Sequence, residues 1–260
     1  MDLRATLMNF YWRMESVIAP GLRYSQSLYE DVLAEHVHRR TRWLDVGCGH
    51  QVLPGWRGDR ERELVAGCGF VVGADADVPS LRKHRTIEKR AAADIGRLPF
   101  ATGSFNLVTA NMVVEHLDRP LVQFQEVSRV LEQDGTFLLH TPHKLGYSTI
   151  AAILVPSFLK RALIYLLEGR REEDVFSTFY RANTRAEILS LAVRSGFRVT
   201  SVKLLVSSAE FASIPPLAVL ELIWIRLLMS RTLAPLRTNI IAVLQKSGTP
   251  PAEPPRRDWE

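Results

Sequence analysis

The chain has 260 residues, 47% of them hydrophobic, which is enough apolar material for a full core and a length that fits one domain with insertions better than two. Its 33 Lys and Arg against 28 Asp and Glu leave a formal charge of +5, yet the basic residues sit among acidic neighbours, as in Arg170-Arg171-Glu172-Glu173-Asp174, and the absence of an aromatic-interleaved basic stripe argues against a nucleic-acid partner. Two cysteines build no disulfide framework and suit a reducing compartment.

Residues 1–15 mix Asp2, Arg4, Arg13 and Glu15 with apolar residues and lack the continuous apolar stretch of an export signal, so a cytoplasmic location is expected. Residues 1–41 are read as an N-terminal helical segment. Residues 43–46 form an apolar strand that runs into a glycine turn, Leu-Asp-Val-Gly-Cys-Gly at 44–49. His50, Gln51 and then Pro54-Gly55 follow, which delays the next helix to near Asp59.

Residues 70–73 make a second strand that leads to an acid, Asp75, and residues 105–110 and 136–140 make two more. Short apolar runs bounded by turn residues and separated by helix-length polar segments predict an α/β fold, a Rossmann-like doubly wound sheet. Ligands of such sheets bind at the carboxyl ends of the strands. Glycines after a buried strand let backbone approach a ligand closely, and an acid at the tip of the next strand can accept both hydroxyls of a ribose, so a nucleoside cofactor is expected.

After the strand at 136–140 the pattern changes. Residues 145–167 are strongly apolar and broken by Pro156, so an insertion at about 143–182 is expected. Asn183 or Thr184 can cap a helix that reaches Ser195 and stops at Gly196, ahead of a strand at 197–205. A second insertion covers about 206–237. Within it residues 217–229 are apolar almost all round apart from Glu221 and Arg226, so that helix must be covered by protein or by lipid. Residues 240–244 supply a last strand, and the proline-rich residues 248–260 are expected to be disordered. The uncharged run at 145–159 falls short of the ~20 residues a membrane span needs, which leaves open a lid and helix that cover the apolar side of the active site, a homodimer contact, and a peripheral contact with the inner membrane surface.

Further along, the chain reads Ala93-Asp94, Leu98-Pro99-Phe100, Gly103-Ser104-Phe105-Asn106-Leu107-Val108, Val114-Glu115-His116-Leu117, Glu126-Val127-Ser128-Arg129-Val130-Leu131 and Gly135-Thr136-Phe137-Leu138-Leu139. With the glycine turn, in this order and at these spacings, residues 42–141 resemble the class I S-adenosylmethionine-dependent methyltransferases, in particular the branch acting on small molecules, lipids and saccharides. The resemblance implies a seven-stranded sheet with a last antiparallel strand, a methyltransferase domain over residues 42–247, and S-adenosylmethionine as cofactor.

It further implies that Asp45, Gly47, Cys48 and Gly49 surround the methionine part and ribose; after Gly49 the chain departs from the family's small residue, glycine and helix, which puts His50 and Gln51 near the ligand as unusual contacts. Asp75 with Ala76 would take the ribose hydroxyls, Asp94 and Ile95 the adenine, and Asn111 and Met112 would line the pocket near the sulfur. Tyr24 lies in a segment that forms a lid in relatives, and Tyr180 and Arg181 in one that closes the substrate side. His116 and His143 are the candidate bases. The histidines lack the spacing or carboxylate company of a metal centre. The function implied is methyl transfer to a hydroxyl, or to an amine or carbon, of a small or lipid-linked acceptor such as a glycan or glycolipid. A non-catalytic fold relative serving as a partner subunit is the alternative. A nicotinamide-dependent oxidoreductase would share the glycine turn and acid, but has no counterpart to the Leu-Pro-Phe, Gly-Ser-Phe-Asn and Glu-His-Leu segments.

Overall fold

The computed structural model describes residues 3–154, 177–207 and 209–247. Pro156, the mixed-charge run at 170–174 and the proline-rich tail lie outside the described residues. Among the described residues the α-helices are α1 (Leu3–Ile18), α2 (Ser25–His36), α3 (Gly58–Gly67), α4 (Val78–Arg82), α5 (Pro120–Val130), α6 (Tyr147–Leu154), α7 (Arg185–Arg194) and α8 (Pro215–Leu228). The strands are β1 (Arg42–Val46), β2 (Phe70–Asp75), β3 (Arg90–Ala92), β4 (Phe105–Asn111), β5 (Leu131–Pro142), β6 (Phe197–Leu205) and β7 (Asn239–Lys246).

One seven-stranded sheet runs in the order β3-β2-β1-β4-β5-β7-β6. The pairs β1–β2, β1–β4, β2–β3 and β4–β5 are parallel, and the β5-β7-β6 end is antiparallel. Strand order reverses between β1 and β4, so the switch point falls beside the glycine turn. The strands expected from apolar runs are present. β5 is longer than the apolar run at 136–140 because its first residues continue directly from α5. β3 carries no apolar pattern; it is a three-residue strand at the sheet edge, where little burial is demanded.

The chain divides into two compact units. The larger comprises Val32–Thr141, Thr178–Val202 and Ile241–Glu260. Trp43, Leu44, Leu107, Val108, Phe137 and Leu138 are its fully buried centre, each large side chain contributing roughly 1.5–3 kcal/mol by leaving water. The cap of α7 resolves to Thr184, whose hydroxyl accepts from the Glu187 N–H at 3.2 Å, while the Glu187 carboxylate accepts from the N–H groups of Thr184 at 2.9 Å and Asn183 at 3.0 Å. Gly196, at φ 78°, ends that helix.

The smaller unit comprises Met1–Asp31, Pro142–Ser177 and Lys203–Ile240. Its core joins Tyr11 and Ala19 of the N-terminal segment to Val206, Ala209 and the Ala218, Leu222, Ile225 and Leu228 stripe of α8. Glu221 is buried on the same helix and accepts hydrogen bonds from the Tyr147 hydroxyl at 2.6 Å and from the N–H groups of Glu210 and Phe211, both at 2.8 Å. A charge that sequence alone places on an apolar helix is thereby absorbed by three donors.

Candidate functional site

The carboxyl ends of β1, β2 and β4 bring together Gly47, Gly49, Asp75 and Met112. Gly47 has φ 65° and Gly49 φ 51°, a region that side chains with a Cβ rarely occupy. The two glycines are needed for different reasons. A Cβ on Gly47 would sit 2.4 Å from Val113 Cγ2, whereas a Cβ on Gly49 would meet no atom within 4 Å. Gly47 therefore closes packing, and Gly49 borders open space that a ligand can approach.

Asp75 holds this turn in place. Its carboxylate accepts from the Gly49 N–H and the Asp77 N–H, each at 2.7 Å, while Gly47 N–H donates to the Ala74 carbonyl at 2.7 Å. Asp45 is buried on β1 opposite Thr109 of β4. Thr109 donates its hydroxyl hydrogen to Asp45 and accepts from Trp43 Nε1–H at 2.7 Å. Burial pushes the Asp45 carboxyl up to about 7, against the opposing effect of the Thr109 hydrogen bond. Cys48 packs behind the turn, where its Sγ would lie 2.7 Å from a Cβ on Gly73, and burial raises its thiol pKa.

The extended loop after Gly49 is built from distant residues. The buried Glu61 carboxylate of α3 accepts from the Leu53 N–H at 2.9 Å and from the Thr86 hydroxyl. Arg85 N–H donates to the His50 carbonyl at 3.1 Å, and His84 Nδ1 accepts from Ile87 N–H at 3.1 Å. α3 begins at Gly58, after a short helical turn at Gly55–Arg57. The loop displaces the helix, as the sequence implies, and Glu61 and Thr86 tie it down.

Asn111 bridges two elements. It accepts from His140 Nδ1–H at 2.8 Å and its amide reaches the Val52 carbonyl at 3.4 Å. His140 is buried and burial lowers its pKa to about 4, so it is a neutral donor at ordinary pH. Met112 stands at φ 58° with an exposed side chain, an unusual combination that marks the end of β4 as a strained position. His50, Ala76 and Asp94 are exposed and Ile95 half-buried. Asp94 Oδ1 accepts from the Gly96 N–H at 2.5 Å, so part of its role is to turn the chain.

Past β4, a buried polar chain lies within the larger unit. Glu115 accepts from the Thr141 hydroxyl at 2.9 Å, and Thr141 accepts from Asn183 Nδ2 at 2.7 Å. Burial raises the Glu115 pKa. The Glu115 carbonyl accepts from the N–H groups of Phe179 at 2.8 Å and Tyr180 at 3.2 Å, with Tyr180 at φ 49°. His116 is half-buried, its Nε2 4.0 Å from Glu115 Oε1. Arg181 donates to the Asp118 carbonyl at 2.6 Å and covers the Phe179 ring. A groove of about 520 Å³ lined by Arg119, Arg181, Glu187 and Arg194 involves none of the glycine-turn residues.

Tyr24 and His143 belong to the smaller unit. Tyr24 pairs its hydroxyl with that of Tyr11 at 3.1 Å. His143 is buried, with Nδ1–H donating to the Arg237 carbonyl at 2.8 Å.

Sequence reasoning missed Trp43, Thr109, Glu61, His84 and Thr141. A threonine between the apolar Leu107, Val108 and Ala110 of β4 was a usable sign for Thr109, because a buried hydroxyl needs a partner. Nothing local marks Glu61 or His84.

This is the class I S-adenosylmethionine-dependent methyltransferase fold. Residues 44–139 match the family described as a methyltransferase domain. Over 106 residues the chain is 32% identical to a malonyl-[acyl-carrier protein] O-methyltransferase of Legionella pneumophila, covering 38% of this chain and 36% of that protein. The chain thus spans little more than a third of the length of the curated relatives it matches. A crystal structure of an S-adenosylmethionine-dependent methyltransferase from Mesorhizobium loti superposes with a TM-score of 0.52 at 18% identity, over 84% of this chain and 95% of that one. The geranyl diphosphate C-methyltransferase of Streptomyces coelicolor, determined with S-adenosyl-L-homocysteine, gives 0.54 at 13% identity, over 85% and 77%.

Proposed function

We propose that the protein transfers a methyl group from S-adenosylmethionine to a hydroxyl of a lipid-linked acceptor, such as a glycolipid, at the inner membrane surface. The observation that carries the reading is the glycine turn: Gly49 borders open space while Asp75 locks its backbone and Asp45 lies buried beneath it. Such a turn fits the methionine and ribose parts of the cofactor, with Asp75 and Ala76 near the ribose, Asp94 and Ile95 toward adenine, and Asn111 and Met112 near the sulfur. The curated relatives' O-methyltransferase names support an oxygen acceptor on a carrier.

When bound, S-adenosylmethionine supplies an activated methyl group whose transfer is downhill, so the chain's own task is orientation and exclusion of water. His116 is the favoured group for taking the acceptor proton, since its ring is accessible and Glu115 lies beside it; His143 is the alternative. His140 holds Asn111 and takes no proton.

Isothermal titration with S-adenosylhomocysteine, beside Asp75→Ala, tests the cofactor site: micromolar binding lost in the variant is expected, and no binding by folded protein sinks it. Radiolabelled methyl transfer to membrane lipid extracts then tests the activity. Cofactor binding with no transfer to any extract would make the protein a non-catalytic partner subunit.

A further inference from the structure

α8 presents two apolar faces, and among the described residues only one is covered. Ala218, Leu222, Ile225 and Leu228 are buried in the core of the smaller unit. On the other side Leu217, Leu220, Ile223 and Leu227 follow at three- and four-residue steps with 41%, 63%, 47% and 49% of their surface exposed. Phe211 and Ile214, just ahead of the helix, are exposed as well. A helix with a buried stripe normally turns charged residues to water on its far side, and a row of exposed aliphatics marks a contact surface.

The charges along this segment have one sign. Between Phe211 and Arg237 the sole acid is Glu221, which is buried on its three donors. Arg237 is occupied by the carbonyls of Leu228, Leu204 and Met229. Arg226 and Arg231 are exposed. From Phe211 onward the segment therefore offers water an aliphatic row and two cations, and the exposed acid beside it, Glu210, lies ahead of the helix. Trp224, half-buried on the same helix, is the residue type that favours the headgroup boundary.

We propose that the exposed face of α8 docks this protein onto an anionic lipid bilayer, with Leu217, Leu220, Ile223 and Leu227 entering the headgroup boundary and Arg226 and Arg231 meeting lipid phosphates. The helix lies on the surface and does not cross it: its 14 residues extend ~21 Å, against a hydrocarbon core of ~30 Å. Among the described residues no helix is long and apolar enough to span a membrane. Charge separates this occupant from others. A second copy would set Arg226 and Arg231 against a helix that carries the same cations and, from Phe211 to Arg237, no exposed acid, whereas an anionic surface neutralises them. The inference deepens the lipid-linked acceptor reading but rests on it only for its purpose, because docking needs neither cofactor nor acceptor.

The test is co-sedimentation of the full chain with vesicles of phosphatidylcholine alone or with phosphatidylglycerol at one part in three. Binding to the anionic vesicles that weakens with salt is expected. Leu220→Ser with Leu227→Ser should lower it by tenfold or more, roughly as expected for withdrawing two buried aliphatic side chains. Arg226→Gln with Arg231→Gln should cost about fivefold per residue and flatten the salt dependence. Both double variants should keep the wild-type affinity for S-adenosylhomocysteine, which shows that they fold. Equal sedimentation of wild type and the Leu220/Leu227 variant overturns the proposal. So does a wild-type dimer, by sedimentation velocity, that the serine variant turns into a monomer without a change in vesicle binding. Vesicle binding by a protein that fails to bind S-adenosylhomocysteine would sink the catalytic reading and leave the docking face standing.

Discussion

The Thr109 hydroxyl stands between Trp43 Nε1–H, from which it accepts, and the buried Asp45 carboxylate, to which it donates. One hydroxyl thus satisfies two buried groups on β1 and fixes the Asp45 rotamer beneath the glycine turn. Thr109→Val keeps the shape and removes both bonds, leaving Trp43 and Asp45 unpaired, so a loss of ~2–4 kcal/mol is expected, the desolvation cost of two stranded groups. Thr109→Ser should recover most of it. Urea unfolding of the two variants decides the matter; equal stability would mean that the hydroxyl bridge contributes nothing.

Asp45 also sets a pH dependence. Burial raises its carboxyl to about 7, against ~3.9 in an unfolded chain. Between these values the folded protein holds a proton that the unfolded one has released, so this group's contribution to stability falls as pH rises from about 4 to 7. His140 works the other way: lowered to about 4, it favours the folded state increasingly as pH rises from 4 to ~6.5. Asp45→Asn removes only the first effect. The stability difference, wild type minus variant, should therefore decline across pH 4 to 7. If Asp45 meets the cofactor's cationic amino group, S-adenosylhomocysteine affinity should rise as pH passes 7 in the wild type and stay flat in the variant.

Gly47 and Gly49 separate folding from binding. Gly47→Ala forces a Cβ to 2.4 Å from Val113 in addition to the strain of φ 65°. A loss of ~2–4 kcal/mol is expected, of which Val113→Ala should restore the clash part and leave ~1–2 kcal/mol of backbone strain. Gly49→Ala meets no protein atom. It should cost only the strain yet weaken S-adenosylhomocysteine at least tenfold, because its Cβ occupies space a ligand would fill. Unchanged affinity in Gly49→Ala would place the cofactor elsewhere.

These residues show what a sequence can and cannot disclose. The two glycines, the acid that ends β2, a cap at Asn183 or Thr184 and the Gly196 stop are local patterns, each set by backbone conformation or by neighbours within four residues, and they are legible directly. The strand ends of β1, β2 and β4 follow from apolar runs that must be buried on both sides. The grip on the extended loop is not local. Glu61 meets Leu53 and Thr86, and only folding makes them neighbours. The fate of Glu221 was equally hidden, since the helix pattern marks it as an exception but not which donors receive it. Asp94 reads as a ligand residue or a turn residue, and its bond to Gly96 establishes the second role without testing the first.

Glu221 draws three donors together within the smaller unit. It is the acceptor for Tyr147, Glu210 N–H and Phe211 N–H, and the Tyr147 pKa is raised by burial and by this carboxylate. Glu221→Gln keeps the volume but turns an amide donor toward at least one N–H that already donates, so ~1.5–3 kcal/mol should be lost, the range for hydrogen bonds to a charged group. Tyr147→Phe removes a single bond and leaves the two backbone donors satisfied, for which ~0.5–1.5 kcal/mol is expected. Amide hydrogen exchange reads the effect locally. Residues 210, 211 and those along α8 should exchange faster in Glu221→Gln, while the strands of the larger unit keep their protection. Uniformly faster exchange throughout the chain would instead show that the two units unfold as one, and the loss would then appear as a single global drop in stability.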